Sequence, residues 1–120
     1  MTLTAITLIL AGIGCVWTGL LAIAFLRDPA HGMTMTAHSE DQLPRVMTGR
    51  YIFLVALAIA ALIYRDLRVI AFLYSGFAFL GFADAFIYLR VRKPAAKHVM
   101  AGISALIVAI VALAAHLTGA

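Results

Sequence analysis

Charge is scarce in this chain: of its 120 residues only nine are Lys or Arg and five are Asp or Glu, and the first 26 positions carry none of them. Soluble domains average about 25% charged and 45–50% apolar residues, whereas this chain is 12% charged and 65% apolar. So little polar surface excludes an ordinary cytosolic enzyme and a disordered tail. A single cysteine, Cys15, excludes a disulfide scaffold and says nothing about redox compartment. Several catalytic signatures are also missing: no G-x-S-x-G elbow, no H-E-x-x-H and no glycine-rich phosphate loop occurs. Alternating apolar and polar residues, which a membrane β-barrel strand requires, are absent from stretches such as 52–63.

What is present is long apolar runs. A helix needs about 20 apolar residues to cross roughly 30 Å of hydrocarbon, and four such runs, at 3–26, 46–64, 69–89 and 99–117, occupy most of the chain. Charges separate them, at 27–45, 65–68 and 90–97. The fold expected is therefore all-α: a single polytopic membrane domain, residues 1–120, built as a four-transmembrane-helix bundle. The first run has an A-x-A-like pair in Ala22 and Ala24, but it lacks a basic leader and exceeds the usual 7–15 apolar residues of a signal peptide. We read it as a span.

Orientation follows from the basic residues. With four spans the termini share a side with the 65–68 turn, which carries Arg65 and Arg68. The other side carries Arg27, Arg45, Arg90, Arg92, Lys93 and Lys97. The positive-inside rule puts loops 27–45 and 90–97 in the cytoplasm and the termini outside, in a bacterial inner membrane if the host is bacterial. The net charge of +4 is this asymmetry; membrane lipids are its expected partner, and nucleic acid is not.

The loops carry helix signals. Asp28 before Pro29 reads as an N-cap with a first-turn proline, so a short interfacial helix begins there, weakened by Gly32. Asp41 reads as the cap of the second span, with Pro44 in its first turn and a start near Gln42. Arg50 then lies about two turns inside that helix.

Small residues mark helix contacts. Ala5, Gly12, Cys15, Gly19 and Ala22 follow heptad spacing on the first span, and Gly102, Ala105, Ala109 and Ala112 step by three and four on the fourth. Lipid drives no hydrophobic association between helices, so close approach over small residues must supply it. Packing within one chain and a homodimer seam both fit. A homo-oligomer, a dimer above all, is the expected assembly. Gly76 and Gly81 suggest the same close packing on the third span.

The candidate site is a pair of charges inside the spans. Arg50 precedes Tyr64 by 14 residues and Asp84 follows Val69 by 15, so a tight hairpin at 65–68 sets both about 21–23 Å from the turn. Charges at such depth are resolved by pairing or by a wet cavity, and the planar guanidinium of Arg suits a carboxylate. Tyr51 adds a phenol at that level. Asp84 shares a helical face with Tyr74, Phe77, Gly81 and Tyr88, so Tyr88 is placed to donate to the carboxylate. His98, next to Lys97, belongs to the rim. Two readings stay open: a pocket built on Arg50, Tyr51, Asp84, Tyr88 and His98, or a bolt between two helices.

Other histidines carry less. His31, Met33, Met35 and His38 offer soft-metal donors but no thiolate cluster or fixed geometry, so neither a metal nor another cofactor is expected. His98 and His116 are about 27 Å apart along one helix and share no ligand; helix-end anchoring accounts for both. Phe72, Tyr74, Phe77, Phe79, Phe82 and Phe86 run round the third span and read as packing or lipid contact.

Gly49-Arg50 opening the second span, the Leu-rich run after it, Gly81 and Asp84 in the third, and a basic residue with His98 before the fourth resemble a family of small four-span membrane proteins known only as a domain of unknown function. The resemblance covers residues from about 27 to the end and implies four helices without an established activity. That family usually carries an acidic residue directly after the arginine; here Tyr51 stands there, which leaves Arg50 more dependent on Asp84. Small multidrug transporters match in size and span count, but their first-helix glutamate has no counterpart in residues 1–26. The function expected is binding, or passage, of a small amphipathic or anionic molecule. The alternatives are a membrane-embedded enzyme using Asp84 as acid or base on a lipophilic substrate, and an accessory subunit of a larger complex.

Overall fold

The computed structural model describes residues 1–119 and is all-α, with helices α1 (Leu3–Arg27), α2 (Pro29–Met35), α3 (Leu43–Tyr64), α4 (Leu67–Arg90) and α5 (Ala96–Leu117). Four of these, all but α2, are long and apolar enough to cross a membrane. The protein is an integral membrane protein. By contact density the chain divides into two units, Met1–Arg50 and Tyr51–Ala120, with the boundary inside α3.

In the first unit, Thr2 caps α1 by accepting from the Ala5 N–H at 3.1 Å. Asp28 ends α1 and starts α2: its side chain accepts from the N–H groups of Ala30 and His31, with Pro29 in the first turn. The expected interfacial helix forms, and Gly32 is its contact point. A Cβ at Gly32 would lie 2.6 Å from Cγ of Phe25 on α1, so a larger residue there would force the ring to shift. The stripe Ala5, Gly12, Cys15, Gly19 and Ala22 is not buried by this contact. Beyond α2, Ser39 in extended conformation leads into one 3₁₀ turn, Glu40–Gln42, and α3 begins at Leu43. Asp41 does not cap it. Its carboxylate accepts from the Gln42 side-chain amide at 3.1 Å, because it lies within the turn and not before it.

In the second unit, α3 ends where Arg65 takes a left-handed conformation (φ 59°). Asp66 then caps α4 by accepting from the Arg68 N–H at 2.8 Å. The same carboxylate forms an ion pair with the Arg68 guanidinium at 3.3 Å, and that side-chain contact, first, with the backbone bond holds its pKa below the usual carboxylate value. Leu57, Ala60, Ala61 and Tyr64 border an apolar hollow of about 220 Å³ with Val69 and Leu73, across this turn.

Helices α4 and α5 are the principal packed pair. Their buried residues are all small: Ala78, Gly81 and Ala85 on α4, and Gly102, Ala105, Ala109 and Ala112 on α5. The latter set is the stripe that spacing marks. Steps of three and four keep each set on one helical face, and small side chains let the backbones approach until dispersion contacts are dense. The crossing is tightest at Gly81, where a Cβ would lie 2.6 Å from the Gly102 N and 3.0 Å from the His98 O. Phe82 then covers Gly102, whose added Cβ would lie 2.8 Å from the ring. Gly76 has nothing within 4 Å of such a Cβ, so it takes no part in this contact.

Candidate functional site

Asp84, Tyr88 and His98 come together at the loop end of the α4–α5 pair. Asp84 and Tyr88 are one turn apart on α4, and His98 stands in the first turn of α5. The His98 Nδ1 lies 3.9 Å from the Asp84 Oδ2, with the two side chains 30% and 26% exposed. That separation is beyond a direct hydrogen bond and within reach of electrostatic attraction when the imidazole is charged. The Tyr88 ring stacks on the His98 ring at 4.8 Å between centroids, with 10° between planes. Two neighbours on α4 therefore fix one imidazole: the carboxylate faces Nδ1 and the phenol ring lies flat against its face.

This arrangement revises one expectation. Tyr88 does not donate to Asp84 among the hydrogen bonds of the described residues; its ring is engaged by His98 instead. The offset-stacked geometry contributes about 0.5–1.5 kcal/mol for aromatic pairs, comparable with a net hydrogen bond, so the stack is a competent alternative.

Depth gives the cluster its character. Asp84 precedes the end of α4 by six residues, about 9 Å along the axis. The 24 residues of α4 span about 36 Å, against roughly 30 Å of hydrocarbon. If the excess is shared between the two ends, Asp84 lies about 6 Å inside the hydrocarbon edge, and His98 lies closer to the headgroups. The cost of an intramembrane charge is lower near the interface than at the bilayer centre, and the His98 imidazole stands opposite this side chain.

Beside the pair is an open hollow of about 480 Å³, bordered by Tyr88, Lys93, Pro94, Ala96, Lys97 and His98. Its volume lies in the range of small-molecule sites. The loop that shapes it is pinned by the Lys93 N–H donating to the Tyr88 O at 2.9 Å, and Arg92 adopts a left-handed turn (φ 57°). Arg90 is held elsewhere, over the Phe86 ring at 5.7 Å.

The remaining predicted residues are placed as follows. Arg50 is the last residue of the first unit, and Tyr51, exposed, is the first of the second. His31, Met33 and Met35 lie on α2, and His38 follows it, its Nδ1 2.7 Å from the Thr36 hydroxyl. Among the described residues no three of His, Cys, Asp and Glu are grouped to hold a metal ion. Sequence reasoning missed Lys93 and Pro94 as borders of the hollow. The signal available was the pair Lys93 and Lys97 flanking Pro94, which read only as topology. Comparison of the chain with protein-family models, with curated proteins and with solved structures finds no match.

Proposed function

We propose that this membrane protein binds a small anionic or amphipathic molecule at the loop end of α4 and α5. The observation that carries the reading is the Asp84–His98 contact at 3.9 Å beside an open hollow that His98 and Tyr88 also border. In this reading His98 meets the ligand, Asp84 is its orienting counter-ion, and Tyr88 fixes the ring plane. Arg50 and Tyr51 belong to this reading on the strength of the sequence alone, as a charge and a phenol inside the second apolar run. The site faces the cytoplasm, the termini face outward, and the α1 small-residue stripe joins two copies in a dimer.

Native mass spectrometry from mild detergent tests the reading directly. Wild-type protein is expected to retain a small amphiphile that Asp84→Asn and His98→Ala both release without loss of helicity. If both variants keep the same adducts and differ only in detergent stability, the pair is a bolt between helices and the binding reading fails.

The same contact favours a second reading, a membrane-embedded enzyme on a lipophilic substrate. A carboxylate that orients an imidazole is an acid–base arrangement. Turnover of a lipophilic substrate that disappears in both Asp84→Asn and His98→Ala would select it over simple binding.

A further inference from the structure

The hollow beside His98 differs in sign from the pair behind it. Two lysines, Lys93 and Lys97, border it, and no acidic residue does. Among the described residues the ion pairs are Arg68–Asp66 and His98–Asp84, so neither lysine is neutralised by an acidic partner. Lys93 is set by the pinned loop and Lys97 by the first turn of α5, on either side of Pro94. The remaining border is apolar or aromatic: Pro94, Ala96 and the ring of Tyr88. Ala95, which precedes α5, offers no side-chain cap, which adds the positive end of a 22-residue helix to the same corner.

Resting on the binding role proposed above, we infer that the polar head of the ligand is a phosphate group, carried on an apolar or glycerol-like body. Two lysines and a histidine, all nitrogen donors, border one hollow. A carboxylate has two oxygens and one charge to meet them. A phosphate ester has two or three terminal oxygens and, as a monoester, up to two charges, and lysine is a common point-charge partner for it. Position agrees with chemistry. The loop lies at the end of a helix about 6 Å longer than the hydrocarbon is thick, which puts Lys93 and Lys97 at the level of lipid headgroups. Both a phospholipid headgroup and a free phosphate ester present this chemistry.

The test uses the full-length protein in neutral detergent, with binding read by native mass spectrometry and by thermal unfolding. The probes are dioleoyl phosphatidic acid, dioleoyl phosphatidylglycerol, oleate, monoolein and inorganic phosphate. Each surface lysine contributes about fivefold to affinity for an anionic lipid. Phosphatidic acid, with its larger charge and third oxygen, is expected to bind more tightly than oleate, and K93Q and K97Q are each expected to weaken it about fivefold. K93R and K97R retain binding, which separates charge from fold. Competition by inorganic phosphate would support the inference and assign a free phosphate ester; its absence, with both phospholipids bound, would support it and assign the lipid headgroup. Oleate bound as tightly as phosphatidic acid, unchanged in K93Q and K97Q yet lost in H98A, would overturn the phosphate head and leave the binding role standing. No retention of any amphiphile would overturn both.

Discussion

Replacing Gly81 with alanine adds one methyl group whose position the backbone of α4 dictates. That Cβ would lie 2.6 Å from the Gly102 N, 2.8 Å from the Gly102 Cα and 3.0 Å from the His98 O. All three neighbours are backbone atoms of α5, so no rotamer change relieves them. Reaching ordinary contact at about 3.5 Å requires the helices to part by roughly 0.9 Å at the crossing. Overpacking of this kind costs about 1–3 kcal/mol, while alanine regains about 0.8–1 kcal/mol of helix propensity over glycine. Gly76→Ala is the matched control, since nothing lies within 4 Å of its Cβ and it takes the propensity gain alone. The two variants should thus differ by about 1–3 kcal/mol, or about 5- to 150-fold in the unfolding equilibrium. Gly102→Ala should fall between them, because its neighbour is the Phe82 ring, which is 38% exposed and free to turn outward. Far-UV circular dichroism during titration from mild detergent into sodium dodecyl sulfate measures all three. Equal midpoints for the Gly76 and Gly81 variants would refute the crossing.

Four further outcomes are expected. Arg50→Gln and Asp84→Asn, measured singly and together in the same titration, should show a coupling of about 0.5–3 kcal/mol if the two charges interact; strict additivity removes Arg50 from the proposed reading. Asp66 has its carboxyl pKa lowered in the folded protein by Arg68, so its stabilisation of the α4 start is present above the unfolded carboxylate pKa and is lost as pH falls through the lower folded value. Protection of the Arg68 and Val69 amides, taken relative to their intrinsic exchange rate at each pH, should fall with acid in wild type and lose that dependence in Asp66→Asn, which keeps a capping oxygen. Oxidative cross-linking through Cys15, which lies on the α1 small-residue stripe, should trap a covalent dimer in membranes; a monomer under conditions that cross-link a control cysteine would dissociate the stripe from dimerisation. Thiol labelling of single cysteines placed at Ser39 and Thr118, in a Cys15→Ala background, should reach Thr118 from outside intact cells and Ser39 only after permeabilisation.

The parts of this fold legible in the sequence are those decided by composition or by one helix alone. Four apolar runs of spanning length are a solvent requirement, and each appears as a helix. Gly102, Ala105, Ala109 and Ala112 are all buried because three-and-four spacing defines a face before its partner is known. Asp28 with Pro29 forms the expected cap because both signals act within three residues. Asp41 misled, since its capping role depends on where the chain leaves the extended region, and that happens at Ser39. Gly76 and Gly81 look alike in sequence, yet five residues turn a helix through about 500°, leaving them about 140° apart on its surface. Only one can face α5. Gly32 read as a weakness in α2 because the ring that needs its space, Phe25, belongs to the preceding helix.

Tyr88 shows the same limit at the site, and it links the packing to the chemistry. Periodicity along α4 puts its phenol one turn from Asp84, but the ring's partner is His98, ten residues on and across a loop. That partner is held by the seam. The carbonyl of His98 is one of the atoms a Cβ at Gly81 would meet, at 3.0 Å, so the close approach at Gly81 also sets how far the imidazole stands from the Asp84 carboxylate. Parting the helices by roughly 0.9 Å would lengthen a contact already at 3.9 Å and loosen the stack. Loss of ligand in Gly81→Ala would therefore not make Gly81 a binding residue. A residue belongs to the site when its replacement removes ligand and leaves the unfolding midpoint in place, and Lys93 and Lys97, exposed and outside the seam, are the positions where those two readouts separate most cleanly.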